Sequence, residues 1–377
     1  PYYGDTHLQW RDALRAFLAK ELAPYVSEWD EAGDVPMSIH RKCADFGLTG
    51  MGYPEAYGGT SEDIDVFHSI ISSQEIARLG AGGVATALIT HSISLPPIIN
   101  FANEALKQRV APDVIAGRKI SALAISEPSG GSDVAALKTR AQLIDDHYVV
   151  NGSKTFISGG IKADFFVVAV RTGGSGARGV SLLLIDKGTP GFSATRLPKQ
   201  GWWASDTASL YFDNVKVPAA NLIGEAGEGF RIIMNNFNPE RLHMASSAIA
   251  YARVCLTDAV AWARGRETFG QRLADHQVIR HKLVEMYRHV SASQSYLEHC
   301  AWRVQRGDHV AGDLALLKVQ ATQTMEHCAR EASQILGGAS FIRGQRIERI
   351  YREVRVNAIG GGSEEIMRDL AARQLGI

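Results

Sequence analysis

The spacing of apolar residues divides the chain into three parts. Up to about residue 118, apolar side chains recur every three or four positions, as in Leu14, Leu18 and Leu22, which predicts helices. Between about 119 and 226 the pattern changes to short apolar runs separated by turns rich in Gly, Asp, Asn and Pro. This pattern favours the short strands of a small antiparallel barrel or sandwich. The helical period returns from residue 227 onward.

The C-terminal part has the most regular pattern. From Ile279 to Val304, apolar or small residues alternate at spacings of four and three, which places a narrow apolar seam on one helix. Segments 242–263 and 314–335 repeat this pattern. Three long amphipathic helices predict an antiparallel bundle, closed by a fourth helix after residue 363.

The pattern as a whole predicts a mainly α-helical fold with an inserted β module. We expect an N-terminal helical domain over residues 1–118, a small middle β-barrel domain over 119–226, and a C-terminal four-helix bundle over 227–377.

Composition removes several classes of function. The 377 residues include 40 basic and 40 acidic side chains, so the formal net charge is zero and phosphate backbones are not attracted at long range. Nucleic-acid binding is therefore not expected. The uninterrupted apolar runs are far shorter than the roughly 20 residues that cross a bilayer, so no membrane span is expected. The sequence does not begin with Met, and we expect a cytoplasmic protein, or one of the mitochondrial matrix if a leader was removed.

Common metal and nucleotide motifs are absent from the sequence. The four cysteines stand alone, and the twelve histidines show no metal-ligand spacing, so we expect reduced thiols and no metal site. One G-x-G-x-x-G occurs at Gly174, Gly176 and Gly179, but a second apolar run follows it where a dinucleotide fingerprint needs a helix. A hairpin loop is the better interpretation.

Several short segments concentrate glycines, hydroxyls and aromatic rings. They are ISEPSGGSD (125–133), NGSKTFIS (151–158), GWWASDT (201–207), RETFG (266–270), QILGG (334–338) and GGGSEEIM (360–367). Taken singly, each is also typical of an ordinary turn or a solvated helix surface. Their content and order together resemble the acyl-CoA dehydrogenase family of flavoenzymes. In the placement of the catalytic base, the resemblance is closest to the long-chain and isovaleryl-type members.

The resemblance implies FAD as the cofactor. It assigns flavin contacts to the middle part of the chain, with Phe156 where Trp is common in the family and Ser158 where Thr is common. Segments 266–277 and 334–338 match the family residues that bind the adenosine diphosphate part of the FAD held by a neighbouring subunit. A homo-oligomer, either a dimer or a homotetramer, is therefore expected. The implied cofactor residues are Ile125, Ser126, Ser132, Phe156, Ser158, Arg266, Phe269, Gln277, Gln334, Gly338, Ser363 and Glu365.

The catalytic base departs from the commonest family pattern. Many members have a glutamate near the C-terminus where this chain has Gly361. In the long-chain and isovaleryl-type members the base directly precedes an arginine on the bundle, and Glu240–Arg241 stand at that place. Glu240 is therefore the predicted base, although without the resemblance it reads as an acid in the first turn of a helix capped by Asn238.

The resemblance also implies substrate contacts. The amide of Gly361 and a flavin hydroxyl would bond the thioester carbonyl, and Ser132, Asn238 and Arg241 are the other expected substrate residues. Three consecutive glycines at 360–362 are expected to widen the acyl pocket, which hints at a longer or branched acyl group.

The expected activity is FAD-dependent α,β-dehydrogenation of an acyl-CoA, with electrons passed to an electron-transfer flavoprotein. Two alternatives stay open: a flavin monooxygenase or oxidase on the same fold, and a flavin-binding protein without catalysis. The sequence does not specify the acyl group, the choice between coenzyme A and an acyl-carrier protein, or the natural electron acceptor.

Overall fold

The structure is a computed structural model that describes residues 2–377, and it confirms a mainly helical fold with an inserted β module. Seven helices precede the sheet. They are α1 (Asp5–Glu21), α2 (Val26–Ala32), α3 (Met37–Asp45), α4 (Val66–Ala77), α5 (Gly82–Ile89), α6 (His91–Phe101) and α7 (Glu104–Ile115).

Eight strands follow and form one sheet. They are β1 (Ser121–Ala124), β2 (Arg140–Ile144), β3 (His147–Ser158), β4 (Phe165–Arg171), β5 (Val180–Asp186), β6 (Phe192–Arg196), β7 (Thr207–Pro218) and β8 (Leu222–Ile223). The order is β6-β7-β3-β2-β4-β5-β8, with β1 paired to β4. Most pairings are antiparallel, whereas β1–β4 and β2–β4 are parallel. β6 and β8 are the two end strands of the described sheet order. The loop at Gly176 leads directly into β5, as a hairpin loop should.

The C-terminal part contains five helices and a small hairpin. The elements are α8 (Gly229–Gly265), β9 (Glu267–Thr268), β10 (Gln271–Arg272), α9 (Gln277–Gln305), α10 (Ala311–Leu336), α11 (Arg346–Ile359) and α12 (Glu364–Leu375). The three long helices and the helix after residue 363 lie where their apolar periods predicted them. α11 is an additional helix between them.

The chain forms two compact units, which collect segments from different places in the sequence. The first unit contains residues 1–28, 65–85 and 238–377, and the second contains residues 29–64 and 86–237. The three predicted domain ranges are continuous stretches of sequence and stay a prediction.

The first unit is organised around one apolar core. The buried residues of α8, α9, α10 and α11 form this core together with residues of α4. The predicted seam of α9 points into it through Met286, Val290, Leu297 and Cys300, all of which are buried. A smaller buried cluster joins α10 to α12 through Ala315, Val319, Met367 and Ala371.

The second unit has two apolar cores on opposite faces of its strands. Alternate residues of β4 are divided between them, because successive side chains of a strand point to opposite faces. Phe165, Val167 and Ala169 pack with α6 and α7, while Phe166 and Val168 pack with β3 and β7. Helices thus cover one face of the sheet, and the sheet encloses the other core.

The segment Gly82–Phe101, which comprises α5 and α6, is long and apolar enough to cross a membrane by length and composition alone. Half of its most apolar window is buried inside the protein, as in a core helix. Leu95 and Ile98 of this segment belong to the core beneath the sheet.

Candidate active site

Glu240 lies inside a helix and not at its beginning. α8 starts at Gly229 and continues through Pro239, so the alternative interpretation of Glu240 as a first-turn acid capped by Asn238 is wrong. The Oε2 atom of Glu240 is buried and has no hydrogen-bond partner among the described residues. Burial raises the pKa of Glu240 to about 7, and the charges of Arg241 and Lys318 only partly oppose this effect. A carboxyl group in this state can take up a proton near neutral pH.

Arg241 connects the predicted substrate residues. It is buried, and its Nη1 donates to Oδ1 of Asn238 at 3.1 Å. Its Nε donates to the carbonyl oxygen of Gly361 at 3.4 Å, a long hydrogen bond. Burial lowers the pKa of Arg241, and the neighbouring charge of Glu240 opposes that shift. The structure therefore brings Asn238, Arg241 and Gly361 together.

Gly361 lies directly beside Glu240. Its φ of +67° is a left-handed conformation that favours glycine. A Cβ at this position would lie 3.8 Å from Oε1 of Glu240 and 2.6 Å from Sδ of Met244. A side chain at position 361 would thus project toward the space that holds the Glu240 carboxylate. Met244 and Glu240 thus lie close beside Gly361. The expectation that the three glycines widen the acyl pocket stays a prediction.

Lys318 supports the same turn from α10. Its side chain is fully buried, and its Nζ donates to the carbonyl oxygens of Ala358 at 3.1 Å and Gly362 at 2.6 Å. The sequence pattern did not indicate a role for Lys318 or Met244. The available signal for Lys318 was its place four residues after Leu314, where a lysine interrupts the apolar seam of α10.

A buried ion pair organises the glycine-rich turn in the second unit. Lys154 is fully buried, and its Nζ donates to Oε1 of Glu127 at 2.8 Å and to the carbonyl oxygen of Ile125 at 2.9 Å. Glu127 also accepts hydrogen bonds from the amides of Lys138 at 2.6 Å and Thr139 at 2.8 Å. Burial raises the pKa of Glu127, but the charge of Lys154 and these hydrogen bonds outweigh it and lower the pKa to about 2. Both residues lie in the glycine-rich and aromatic segments 125–133 and 151–158, but the sequence alone did not indicate that they pair.

The predicted flavin residues lie around this ion pair. Ser126 accepts the amide of Thr155 through its carbonyl at 2.9 Å, which ties the turn to β3. Ser132 is exposed on the turn. A Cβ at Gly130 would meet nothing within 4 Å, and one at Gly131 would meet only Ser126, so the turn is open on this side.

Phe156 projects from β3 where the register with β7 shifts between Lys154 and Ile157. Its φ is +61°, and 72% of the residue is exposed. An exposed aromatic ring on a left-handed backbone costs conformational energy, which is typical of functional positions. Ser158 ends the same strand and is half-buried. Phe156 and Ser158 are therefore held by one irregular strand end.

The predicted adenosine residues of the first unit are all exposed. Arg266 directly precedes β9, and Phe269 lies in the turn between β9 and β10. Phe269 is 98% exposed and has a φ of +50°. His276 contacts this hairpin through Thr268 at 3.2 Å, and its ring meets Phe269 edge-on. Gln277 begins α9 directly after His276.

The remaining predicted cofactor residues lie at two helix ends. Gln334 and Gly338 are exposed at the end of α10. Ser363 accepts the amide of Ile366 and is the N-cap of α12, which is a structural role by itself. Glu365 is exposed in the first turn, where backbone and Ser363 hydrogen bonds lower its pKa. The predicted cofactor residues thus occur in small groups that are close in sequence.

One group of potential metal ligands lies elsewhere, at His7, Asp65 and His68, whose ligand atoms lie within 4.8 Å of one another. Oδ1 of Asp65 caps α4 and contacts Nε2 of His7 and Nδ1 of His68, both at 2.9 Å. The amide of Gly4 donates to Nδ1 of His7 at 2.9 Å, which leaves the proton of a neutral imidazole on Nε2. These contacts describe a helix cap. The expected lack of a metal site stays a prediction.

The features of each unit fit a flavin cofactor. The exposed Phe156 ring offers an apolar face, the open turn at Gly130 and Gly131 admits a close backbone approach, and the exposed Arg266 is a suitable partner for a phosphate. The unpaired Oε2 of Glu240 is suited to acid–base chemistry.

Comparison with known proteins covers nearly the whole chain. Three family models match: the N-terminal domain of acyl-CoA dehydrogenase over residues 4–118, the middle domain over 122–215 and the C-terminal domain over 227–376. An acyl-CoA dehydrogenase of Alternaria alternata is 36% identical, with 99% of this chain and 92% of the relative covered. The mitochondrial isovaleryl-CoA dehydrogenase of Oryza sativa subsp. japonica is 33% identical, with 99% and 92% covered.

A solved acyl-CoA dehydrogenase structure has the same fold as this chain. The crystal structure of an acyl-CoA dehydrogenase from Geobacillus kaustophilus is 34% identical and superposes with a TM-score of 0.94, covering 100% of this chain and 99% of that one. The chain therefore belongs to the acyl-CoA dehydrogenase family, whose members are FAD-dependent oxidoreductases.

Proposed function

We propose that this protein converts an acyl-CoA thioester into the 2,3-enoyl-CoA, with Glu240 as the catalytic base. The observation that supports this proposal best is the state of the Glu240 carboxyl group. It has a buried, unbonded Oε2, a pKa raised to about 7, and a position beside the Gly361 turn. A structural glutamate in a folded protein would normally be paired or solvated.

The reaction divides two hydrogens between two acceptors. Glu240 takes the α-hydrogen as a proton, and the electron pair of that C–H bond forms the new carbon–carbon double bond. The β-hydrogen would leave as a hydride, and bound FAD, held by the residues named below, would supply the acceptor for it. Glu240 must be ionised before the reaction and is protonated after it, so its raised pKa makes it a stronger base than an exposed glutamate.

The Gly361 turn is proposed to stabilise the charge that grows on the thioester carbonyl as the α-proton leaves. The backbone N–H of Gly361 is the proposed donor, since a fixed amide stabilises a developing oxyanion without reorganising. Arg241 holds the carbonyl oxygen of the same residue. Asn238 and Ser132 are the other proposed substrate contacts.

The residues that match the family motifs are proposed to bind FAD. Ile125, Ser126, Ser132, Phe156 and Ser158 would bind the flavin part, with Ser363 and Glu365 as further contacts. Arg266, Phe269, Gln277, Gln334 and Gly338 would bind the adenosine diphosphate part of the FAD of another subunit in a homo-oligomer. The exposure of Phe269 and the family membership support this arrangement. An electron-transfer flavoprotein is the proposed electron acceptor.

The test is a panel of short, long and branched acyl-CoA substrates, assayed with a dye acceptor on the wild type and on Glu240→Gln. We expect the flavin absorbance of the wild type to bleach when substrate is added anaerobically. The kcat/KM of the wild type should rise with pH through about 7. Glu240→Gln should stay yellow and lose about 10²–10⁴-fold in kcat, the usual contribution of a general base. Glu285→Gln is the matched control, because Glu285 pairs with Arg288 on the exposed side of α9.

Three results would contradict the proposal. Full activity of Glu240→Gln would exclude Glu240 as the base. A wild type that binds FAD but does not bleach with any acyl-CoA would indicate a non-catalytic flavin protein. Oxygen consumption that needs no added acceptor would indicate an oxidase or monooxygenase.

A further inference from the structure

Lys318 lies in an unusual place for a lysine. It lies in the N-terminal half of α10, and its residue exposure is 0%. Leu314, Leu317 and Ala321, which surround it along the helix, are core residues. An ammonium group is rarely buried in such a place unless it has well-placed acceptors, because its desolvation is expensive.

The acceptors of Lys318 are backbone carbonyls. Nζ donates to Ala358, which lies in the last turn of α11, and to Gly362, which follows that helix. The carbonyls in the last turn of a helix have no partner within the helix, and a cation near them is favourable. No carboxylate forms an ion pair with Lys318 among the described residues, so the carbonyls are its direct partners.

The two carbonyls bracket the turn of residues 360–362. This turn contains three consecutive glycines, and φ is +67° at Gly361 and +104° at Gly362. Glycine loses more conformational freedom on folding than any other residue, so a triple-glycine turn needs external contacts to stay in one conformation. Lys318 supplies two such contacts, and Arg241 supplies a third at the carbonyl of Gly361.

We propose that Lys318 is a positioning residue, which fixes the Gly361 turn through hydrogen bonds to two backbone carbonyls. The proposal rests on the proposed function, because it gives the turn and Glu240 their roles in dehydrogenation. Lys318 does not contact the substrate in this scheme. It acts through the backbone of residues 360–362 and through the electric field at Glu240.

Several charges act on Lys318 and Glu240 together. Burial lowers the pKa of Lys318 to about 8, while Glu364, Glu240 and Glu365 raise it and Arg241 lowers it. The group is therefore mainly charged at pH 7. Lys318 and Arg241 both lower the pKa of Glu240 against the larger effect of burial. Removing Lys318 should raise the pKa of Glu240 and move the acidic limb of kcat/KM to higher pH.

The first experiment compares the FAD-loaded wild type with Lys318→Met, a variant of similar length that lacks the charge and the donors. Hydrogen exchange of residues 359–363 should become at least about tenfold faster, because the turn loses two tethers. The kcat should fall about 10- to 100-fold, and the acidic limb should move up by about half a pH unit or more. Lys187→Met is the matched control, since Lys187 donates to the Ile161 carbonyl in the other unit.

If hydrogen exchange in residues 359–363 is the same in Lys318→Met as in the wild type, Lys318 does not hold the Gly361 turn. A kcat loss without a shift of the acidic limb would overturn the electrostatic part, because a merely structural lysine does not move that limb. Lys318→Gln serves as a second variant if Lys318→Met does not fold, because it keeps a polar head in the buried site and removes the charge.

The exchange measurement needs no substrate, so it distinguishes the two proposals. If the flavin of the wild type does not bleach with acyl-CoA, the proposed function fails. The hydrogen-exchange result then still decides whether Lys318 holds the Gly361 turn. If the flavin of the wild type bleaches, and Lys318→Met and Lys318→Gln match the wild type in hydrogen exchange and in pH profile, only the proposed role of Lys318 fails.

Discussion

At Glu240 the needs of catalysis and of stability are opposed. The Glu240 carboxyl has a pKa of about 7 in the folded protein, against 4.5 as its ordinary value. Between these two values the folded state binds more protons than the unfolded state, so the contribution of this group to stability falls as pH rises from 4.5 to 7. Burying the charged form therefore costs roughly 1–3 kcal/mol at neutral pH.

This cost predicts that Glu240→Gln stabilises the protein. We expect a higher Tm than the wild type at pH 8, a smaller difference at pH 6 and almost none near pH 4.5, because the wild-type carboxyl is then neutral as well. Thermal unfolding at several pH values measures the difference. The Glu285→Gln control, which removes an exposed carboxylate, should not show this pattern. An equal Tm for the wild type and Glu240→Gln at every pH would show that burying the Glu240 carboxylate costs no stability.

Phe156 is a second residue at which function and stability conflict. A non-glycine residue in the left-handed region costs about 1 kcal/mol or more, and the exposed ring gains little from packing within the chain. Phe156→Gly removes both the strain and the ring, whereas Phe156→Ala removes only the ring. We expect both variants to bind FAD more weakly, while only Phe156→Gly raises the Tm of the FAD-free protein.

Fluorescence titration with FAD and thermal unfolding of the apoprotein measure these two effects. An equal change in apoprotein Tm for the two variants would show that the backbone of residue 156 is not strained. Unchanged FAD affinity in both variants would remove Phe156 from the proposed flavin contacts.

At the scale of elements, β3 combines two opposite environments within three residues. Lys154 points inward to the buried Glu127, and Phe156 projects outward after the register shift. The strand could be predicted from its β-branched and apolar residues, but the shift could not. It depends on pairing with β7, which lies more than fifty residues away and imposes its own register.

The Lys154–Glu127 pair predicts a sharp loss of stability when it is broken on one side. Lys154→Met leaves Glu127 buried without its cation, which should destabilise the protein by about 3–5 kcal/mol and weaken FAD binding through the loosened turn. The double variant Glu127→Gln, Lys154→Met should recover part of this loss, because no buried charge stays unpaired. Urea unfolding and the absorbance of retained flavin measure the two effects. A double variant less stable than Lys154→Met would contradict this account.

The Lys154–Glu127 pair also makes stability depend on pH, in the opposite direction to Glu240. The folded pKa of Glu127 is about 2, below its ordinary value of 4.5, so its contribution to stability is full above pH 4.5 and is lost as pH falls toward 2. The double variant should lack this part of the acid destabilisation.

At the scale of the whole molecule, local patterns predicted elements well and long-range contacts poorly. The helical periods located α8, α9 and α10 because each period depends on neighbouring residues alone. Glu240 was predicted as the base because it directly precedes Arg241, an order that a sequence pattern can show. Lys318 was missed because its role depends on carbonyls about forty residues further along the chain. The neighbouring places of Met244 and Gly361 are equally invisible to a sequence pattern, since they meet only after α8 and α11 pack.

In the proposed homo-oligomer, one subunit completes the cofactor site of another, and mixed oligomers test this arrangement. Glu240→Gln disables the base of its own subunit, whereas Arg266→Ala should weaken FAD binding in the partner. In a dimer of one subunit of each kind, the Arg266→Ala subunit keeps Glu240 and receives the intact Arg266 of the other subunit. Random pairing of equal amounts then leaves about a quarter of all sites intact. At limiting FAD, we expect co-refolded mixtures to regain up to about a quarter of the wild-type activity, the fraction of intact sites. Each variant alone should stay inactive. If Arg266 served its own subunit, no pairing would create an intact site, and the mixture would stay as inactive as its components.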